Sequence, residues 1–457
     1  MTVQRISLAH QIRFKGMPAQ AKSDTHQKAL ALNLDATIFG SFAEIGAGQE
    51  VARWFLRVGA ASGTVAKTIS AYDKVVSDHL YGIGWRYVSK PRLQAMLNSE
   101  WDQLLAQLHD TRGADTKFFS FVDTISARNY AGTNDCHGWI GLRFLRDPNG
   151  APNDVILHVN LRDSTNVAQQ EAIGILGVNL IDAAFHARAS VEEFLASVCE
   201  DLELQRVEID VLEVNGLAFE GWDRDEIQSL LVARGCAEAV VFAVDGQVLP
   251  ANELLYKRIL VLVPGRFDTV GPVKADLVRD TLTQLPEEEL KESKGGLGLF
   301  CISVTSLNSD ENALSIQKIV QQVRSLQKLG YGVMLFRAKE LYKMSGYVNR
   351  YTNSRIYFAI GLSLLVRVFE DRYADLAGAL LEGIARLFTQ NVRISVYPMP
   401  AEELRRCIEG SRLKNWKWTE TNGMVSADNL HPPGPMDSLY EYLLSSDLIL
   451  PGKPSNP

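Results

Sequence analysis

The hydrophobic pattern changes along the chain, and the change predicts where helices and strands lie. Between residues 35 and 110, the segments EIGAGQEVARWFLRVG and KPRLQAMLNSEWDQLLAQLHD place large apolar side chains at spacings close to helical, so we expect this region to be helical. After Gly113 the period shortens. The runs KFFSFVDTI, WIGLRFL and DVILHVNL are rich in aromatic and β-branched residues and predict three strands, the last two joined by a hairpin at DPNGAPND.

Strands and helices then alternate to the end of the chain. NVAQQEAIGILGVNLIDAAFHA, VEEFLASVCEDL and DRDEIQSLLVARG predict helices, and RVEIDVLEV and AVVFAV predict strands. From about residue 256, RILVLVPG, GLGLFCISVTS, YGVMLFRA and NVRISVYP predict strands separated by helical stretches. Such alternation favours right-handed crossovers and a parallel sheet, whose buried strands are apolar throughout.

The predicted fold class is therefore α/β. We expect a helical N-terminal region, a mixed sheet in the first half, and a largely parallel sheet with crossover helices in the second half. The expected regions are a flexible N-terminal extension (1–27), an α/β domain with a helical start (28–250) and an α/β domain with a parallel sheet (251–457). The extension carries four basic side chains against one acidic one and no continuous apolar core, so we expect a loose tail, with an organellar transit peptide as the alternative to it, rather than a secretory signal.

Composition narrows the classes of partner. The net charge is -7, with Lys and Arg scattered among the acidic residues, which argues against nucleic acid. The longest apolar stretch, IYFAIGLSLLVRVF (356–369), contains Arg367 and is shorter than the roughly 20 residues that span a bilayer. It is interpreted as a buried helix, and no membrane partner is expected.

Five cysteines without a CxxC pair are typical of reduced, mostly buried thiols, which predicts a cytoplasmic location. Homo-oligomerisation is left open.

VGAASGTVAKTIS (58–70) contains two glycines four residues apart, followed by a lysine and a threonine. It is not a Walker A loop, because Lys67 comes four residues after Gly63 and would lie a turn inside a helix. Ser62 and Gly63 could instead cap that helix, with Thr64 and Lys67 contributing to an anion site at its start. The alternative is a turn between helices whose small residues allow close packing.

The segment DTISARNYAGTNDCHGW (123–139) joins two predicted strands and is dense in polar side chains. Loops that leave the ends of strands are frequent sites of ligand contact, so we expect Arg128, Asn134 and His137 to contribute to a site. Cys136 stands beside His137, but neighbouring residues of an extended segment point apart, so a thiolate–base pair is not favoured.

LVLVPGRFDTVGPVKADL (260–277) predicts a strand, a glycine turn and a helix. Its GRFDTV resembles the start of the GxFDPxHxGH signature of nucleotidylyltransferases. The resemblance implies that Gly265 admits nucleotide phosphates, and the leading hypothesis given below has Asp268 hold a metal or a hydroxyl. The two histidine positions of the signature fall on Gly271 and Lys274, of which Lys274 could still stabilise a phosphoryl transition state.

YVNRYTNSRI (347–356) combines arginines with hydroxyl groups at a predicted helix start. Arg350 and Thr352 there would suit a phosphate or a carboxylate. The alternative is a solvated helix end whose side chains pair with one another.

Longer segments resemble a widespread bacterial protein family from about residue 28 to the C-terminus. They are KALALNLDATIFGSFAEIGAGQEVARWF, SGTVAKTISAYDK, NYAGTNDCHGWIGLRF and QQEAIGILGVNL. Members of that family carry the automatic labels nicotinate-nucleotide adenylyltransferase or TonB-dependent receptor. The first label implies a nucleotide-binding transferase.

The leading functional hypothesis is binding of a phosphorylated small molecule or nucleotide, with nucleotidyl or phosphoryl transfer as its catalytic form. Lys274, Asp268 and His137 are the candidate catalytic residues, and a divalent cation such as Mg²⁺ is the candidate cofactor. The alternative is a non-catalytic assembly or regulatory protein that docks a partner through its helical N-terminal region. Thiol chemistry at Cys136 is the third hypothesis.

Overall fold

The computed structural model describes residues 24–84, 86–186, 190–267, 272–307, 316–370, 373, 375–389, 391–409 and 415–452.

The first half of the chain folds around a six-stranded sheet with the order β2-β1-β3-β4-β5-β6. Its strands are β1 (Ile38–Ile45), β2 (Val65–Ile69), β3 (Lys117–Ser126), β4 (His137–Leu145), β5 (Pro152–Leu161) and β6 (Val207–Asn215). The helices are α1 (Thr25–Leu34), α2 (Glu50–Val58), α3 (Lys74–Tyr81), α4 (Lys90–Arg112), α5 (Asn166–His186), α6 (Val191–Val198) and α7 (Arg224–Arg234). β1 runs parallel to β2 and β3, whereas β3 to β6 form an antiparallel meander. The predicted mixed sheet and its hairpin are confirmed.

The helical prediction for residues 35–110 is wrong for two segments, because β1 and β2 lie within it. All but the last residue of β1 are buried, so its residues lack the polar alternation that marks a half-buried strand. β2 is an edge strand of five residues that follows a short 3₁₀ turn. Lys67 and Thr68 therefore lie in a strand and not inside a helix.

The second half folds around an eight-stranded sheet with the order β18-β13-β12-β9-β10-β11-β7-β8. Its strands are β7 (Ala239–Phe242), β8 (Val248–Leu249), β9 (Ile259–Gly265), β10 (Gly296–Ser303), β11 (Gly332–Phe336), β12 (Ile356–Gly361), β13 (Val392–Tyr397) and β18 (Ile449–Pro451). Two short antiparallel pairs join β14 (Met399–Pro400) to β16 (Met424–Val425) and β15 (Lys417–Trp418) to β17 (Leu430–His431). The helices are α8 (Ala251–Leu254), α9 (Pro272–Thr283), α10 (Glu287–Lys291), α11 (Val304–Leu307), α12 (Ile316–Gln327), α13 (Leu341–Val348), α14 (Leu362–Glu370), α15 (Ala379–Leu387), α16 (Ala401–Glu409) and α17 (Met436–Ser445).

The parallel part of this sheet is doubly wound. β9, β10, β11, β12, β13 and β18 are mutually parallel, as predicted, and β7 and β8 add an antiparallel edge. Numbered along the chain, the parallel strands have the spatial order 3-2-1-4-5-6, so the chain reverses direction across the sheet between β9 and β12. A crevice outside the carboxyl ends of the strands at that point is the usual ligand position in such sheets.

The interpretation of residues 356–369 as one buried helix is wrong. Residues 356–361 form β12, and α14 starts immediately afterwards at Leu362. A short apolar run without polar interruption does not distinguish a buried strand from a buried helix. Because β12 lies beside β9, the error hides the point at which the strand order reverses.

Apolar packing covers both faces of the second sheet. One apolar cluster contains the buried side chains of the first sheet and extends to one face of the second sheet, where Val261 and Phe300 belong to it. The other face of the second sheet packs against a second cluster, which contains Leu262 and Phe358. α7 joins the halves, since it contacts β6, β7 and α12. β7 and β8 precede residue 250 but belong to the second sheet, and the predicted boundary there stays a prediction. α1 begins at Thr25, inside the predicted extension, whose first 23 residues lie outside the described part of the chain.

Among the helices that the structure describes, none is both long enough and apolar enough to cross a bilayer.

Candidate functional site

A crevice of about 900 Å³ opens at the carboxyl ends of the second sheet's parallel strands. Gly265 at the end of β9, Ser303 at the end of β10 and Arg337 directly after β11 all line it. The crevice therefore lies beside β9, one of the two strands between which the strand order reverses.

The lining of the crevice is positively charged. Among the described residues, its charged members are two acidic side chains and five basic ones, namely Glu238, Glu340, Arg266, Arg337, Lys339, Lys343 and Arg367. Both acidic side chains already have basic partners: Glu238 pairs with Arg162 and Arg350, and Glu340 with Lys343. Within the described residues, Arg337, Lys339 and Arg367 form no ion pair. Unneutralised positive charge in a cleft favours an anionic ligand.

Gly265 leaves the backbone open to the crevice. Among the described residues, the nearest neighbour of a Cβ atom at this position would be the Phe267 ring, at 3.4 Å, and Gly265 does not have the positive φ that favours glycine. The fold therefore does not require a glycine here. At the end of the neighbouring strand, the hydroxyl groups of Ser303 and Thr305 lie 3.0 Å apart and add hydrogen-bonding capacity.

Lys274, one of the candidate catalytic residues of this segment, does not lie at the crevice. Lys274 lies in the first turn of α9, where Nζ donates to the Arg266 carbonyl and lies 4.5 Å from the centroid of the Phe267 ring. It is not among the residues that line the crevice. Asp268 lies outside the described residues, so its predicted role stays a prediction.

A second hollow, of about 960 Å³, lies at the amino ends of the same strands. Ile259 at the start of β9, Arg355 before β12 and Asn391 before β13 line it. It brings together two of the predicted polar segments, through residues 133–135 and 350–355.

The predicted binding residues of this hollow are engaged by the protein itself. Arg350 pairs with Glu238 at 2.9 Å. The Thr352 hydroxyl donates to the Arg258 carbonyl at 3.0 Å, and Asn134 Nδ2 donates to the Ala127 carbonyl at 2.7 Å. Arg350 follows the end of α13 instead of starting a helix, so the predicted helix-start site is corrected.

Arg128 braces its own loop. Its backbone N–H donates to Gln169 and its carbonyl accepts from Asn166, while its guanidinium lies against Gly132. It lines neither the crevice nor the hollow.

Residues 59–68 lie at the β2 edge of the first sheet, apart from both cavities. Ser62 and Gly63 belong to the 3₁₀ turn Ala61–Gly63, which leads into β2, so no helix follows for them to cap. The Thr64 hydroxyl is buried and donates to the Leu32 carbonyl. Lys67 pairs with the buried Glu100 at 2.6 Å. The geometry matches the alternative of a packed turn.

His137 ends a buried hydrogen-bonded chain. Its Nδ1 lies 3.0 Å from His158 Nε2, and His158 Nδ1 lies 2.5 Å from Asp210 Oδ1. Burial, together with the neighbouring His158, lowers the pKa of His137 to about 4, so its ring is neutral at pH 7. Trp139 packs edge-on against His158 with ring centroids 4.9 Å apart. His137 follows residues 133–135 of the hollow in sequence, and it does not line the crevice.

Sequence reasoning missed a buried carboxyl pair at the carboxyl ends of β1 and β3. Glu44 and Asp123 are register partners, and the Glu44 carboxylate accepts from the backbone N–H groups of Val51 and Ala52 at the start of α2. Burial raises the pKa of Glu44 to about 7, and burial together with Glu44 raises the pKa of Asp123. The pair is buried inside the first half, where the protonated form of each carboxyl group is favoured.

The basic residues of the crevice were also missed. Arg337 and Lys339 follow a buried strand directly in VMLFRAK, which is the signal that could have indicated them. Arg367 could be placed only once β12 was separated from α14. No group of His, Cys, Asp and Glu in the described residues has a metal-binding arrangement, and Asp268 lies outside them.

No protein-family model matches the chain, and no curated protein matches it. Solved structures with partial similarity include a competence/damage-inducible protein from Agrobacterium tumefaciens, which is 17% identical, with 36% of this chain and 98% of that chain covered at a TM-score of 0.27. A CinA superfamily protein from Enterobacter cloacae is 14% identical, with 37% and 97% covered at a TM-score of 0.26. A protein from Klebsiella pneumoniae is 13% identical, with 35% and 96% covered at a TM-score of 0.25. Similarity at this level supports no inference about activity.

Proposed function

We propose that the crevice at the carboxyl ends of the second sheet binds a phosphorylated small molecule, with a nucleotide as the favoured class. The observation that supports this proposal is the cluster of basic side chains at the position where doubly wound sheets bind ligands. A volume of about 900 Å³ also suits a ligand of nucleotide size.

Each part of the lining has a role in this proposal. Arg337 and Arg367 neutralise the phosphate, because guanidinium groups can donate two parallel hydrogen bonds to its oxygens. The hydroxyls of Ser303 and Thr305 donate to the phosphate or the sugar. Gly265 lets the ligand approach the backbone.

The test is a thermal-shift screen against nucleotides and sugar phosphates, followed by calorimetric titration of the best ligand. We expect stabilisation by at least one nucleotide, and a loss of affinity of about 100-fold in Arg337→Ala/Arg367→Ala, since each charged hydrogen-bonded contact contributes roughly 1.5 kcal/mol. Arg355→Ala is the matched control, because that arginine lines the opposite hollow and pairs with Glu289. Equal affinity in the double variant and the control would refute the proposal.

Nucleotidyl transfer is a narrower proposal that concerns the same site. It rests on the resemblance of GRFDTV to the nucleotidylyltransferase signature and on the predicted role of Asp268, since Lys274 does not line the crevice. Incubation with ATP and nicotinate mononucleotide, with pyrophosphate release as the readout, tests it. If the wild-type protein releases no pyrophosphate, the transfer proposal is refuted and only the binding proposal stands.

A second candidate function is partner docking through the helical N-terminal region. α3 and its flanking loops expose large apolar side chains at Tyr72, Val75, Val76 and Ile83, with 73%, 74%, 50% and 90% of each residue accessible. Exposed apolar groups concentrated in one segment are typical of interaction surfaces. We expect Val75→Ser/Ile83→Ser to abolish co-purification of a stoichiometric partner; a partner retained by this variant would contradict docking at α3.

A further inference from the structure

Two cysteines that are remote in sequence meet in the first half of the molecule. The Sγ atoms of Cys199 and Cys236 lie 2.6 Å apart, and the residues are separated by 37 positions. A disulfide bond measures about 2.05 Å, so the two sulfur atoms need to approach by only about 0.5 Å to bond.

The backbone fixes both residues where they are. Cys199 caps the C-terminus of α6 and donates its N–H to the Leu195 carbonyl at 3.0 Å. Cys236 follows the glycine that ends α7, donates its N–H to the Leu231 carbonyl, and accepts from the N–H of Ile209 on β6. The two thiols are thus brought together by regular secondary structure and not by a flexible loop.

We propose that Cys199 and Cys236 are a redox modification site that forms a reversible intramolecular disulfide, with a small-molecule disulfide such as oxidised glutathione as the oxidant. The Cys199 thiolate attacks one sulfur of oxidised glutathione, forms a mixed disulfide and releases one glutathione thiolate. The Cys236 thiolate then attacks the Cys199 sulfur and releases the second. The two thiol protons pass to the two glutathione thiolates, so the cysteines lose two electrons and glutathione gains them.

The surroundings of the pair set the rate of this reaction. The hydrogen bond with Cys236, together with burial, raises the pKa of Cys199, so little thiolate is present at neutral pH. Exchange is therefore slow at pH ~7 and faster at pH ~8.5. The other cysteines provide contrasts, since Cys301 is buried against a backbone carbonyl and Cys407 is exposed.

The disulfide would connect the end of α6 to the segment that enters the second sheet. Leu204, which lines a small cavity together with both cysteines, also lines the crevice at the second sheet. Closing a loop of this length restricts the unfolded chain, so we expect the oxidised form to unfold at a temperature about 5 °C higher. The proposal does not depend on what the crevice binds.

The experiment compares full-length protein equilibrated in oxidised glutathione with protein kept in dithiothreitol. One sample is oxidised in the folded state at pH ~8.5, and a second is refolded from urea into the same buffer, so that burial of the thiols does not limit the reaction. After acid quenching, alkylation and digestion, mass spectrometry maps the peptides. We expect a linked Cys199–Cys236 peptide in both oxidised samples and its disappearance after reduction.

Controls make a negative result informative. Glutathione attached to the exposed Cys407 reports that the oxidant acted. Cys199→Ser and Cys236→Ser should each abolish the linked peptide and the difference in unfolding temperature, while Cys136→Ser should keep both. Modified Cys407 together with fully alkylatable Cys199 and Cys236 in both oxidised samples would overturn the proposal.

Discussion

In the first sheet, β1 and β3 end beside two buried carboxyl groups, whereas in the second sheet β9 and β10 end beside an open basic crevice. Glu44 and Asp123 occupy the first position and are 1% and 0% exposed. Gly265 and Ser303 occupy the second and leave a volume of about 900 Å³. The carboxyl ends of parallel strands are therefore covered by the protein in the first half, which we call the closed edge. In the second half they face a crevice, which we call the open edge.

The difference lies in what satisfies the polar groups at the strand ends. In the first half, Glu44 provides the anion that the N-terminus of α2 attracts, because it accepts from two of that helix's free N–H groups. The position is filled by the protein itself. In the second half, Arg337 and Arg367 have no such internal anion among the described residues, which is why we assign the external ligand to this edge.

The largest contrast is expected between two glycines at these strand ends. Gly46 follows β1 with φ +104°, and a Cβ atom there would lie 1.8 Å from the Ile125 carbonyl oxygen. Gly46→Ala should therefore destabilise the protein by about 3 kcal/mol or more, since backbone strain and a clash with backbone add together. Gly265→Ala should change the free energy of unfolding by less than about 1 kcal/mol.

Urea unfolding of both variants measures this contrast. A third variant, Gly59→Ala, separates strain from clash, because Gly59 has φ +93° but a Cβ atom there would have no neighbour within 4 Å. We expect an intermediate loss of stability from it. Equal destabilisation by Gly46→Ala and Gly265→Ala would show that the fold requires both glycines.

The sequence predicts the second half better than the first, and particular residues show why. ILVLV and VMLF are continuous apolar runs bounded by turns, and both are central parallel strands. The run IYFAIGLSLLVRVF changes from strand to helix at Gly361–Leu362 without a polar break, so β12 was not separable from α14.

The candidate site follows the same logic. Gly265 was found because the glycine turn after a strand is a local pattern. Arg337, Lys339 and Arg367 were not found, because their proximity depends on β9 having β10 on one side and β12 on the other. That adjacency is set by tertiary packing, so VMLFRAK could indicate Arg337 and Lys339 as residues after a buried strand but not their proximity to Arg367. Arg350, Thr352 and Asn134 were identified as polar clusters, but composition alone does not tell a ligand contact from an internal hydrogen bond.

The second prediction concerns the closed edge and its dependence on pH. The pKa of Glu44 is raised from 4.5 to about 7, so the folded protein binds a proton more tightly than the unfolded chain does. This contribution to stability is fully present below pH ~4.5 and is lost as the pH rises through about 7, on the order of 3 kcal/mol in all. In Glu44→Gln this contribution is absent, so the free energy of unfolding should fall less steeply between pH ~4.5 and ~7.

Glu44→Gln should also be less stable than the wild type at pH ~5, because an amide can accept from only one of the two N–H groups of α2 with its oxygen. The difference should shrink towards pH ~8. Urea unfolding across this range measures both effects, and Glu171→Gln, at an exposed carboxylate paired with Arg206, is the control. Parallel pH profiles for wild type and Glu44→Gln would show that Glu44 is ionised throughout.

The smallest expected effect is that of Gly265→Ala at the open edge, which should lower the affinity for the ligand without destabilising the fold. Gly265→Ala adds one methyl group at the last residue of β9, where its nearest neighbour among the described residues is the Phe267 ring at 3.4 Å. The proposed phosphate approaches the backbone at Gly265, so the added methyl group takes up the space that it needs. We expect about a tenfold loss of affinity, or roughly 1.4 kcal/mol, by calorimetric titration. Gly361→Ala is a matched control at the end of the neighbouring β12, since a Cβ atom there would have no neighbour within 4 Å among the described residues and Gly361 does not line the crevice. Unchanged affinity in Gly265→Ala, together with a loss of affinity in Arg337→Ala/Arg367→Ala, would show that the phosphate binds near the ends of β11 and β12 and not near the end of β9.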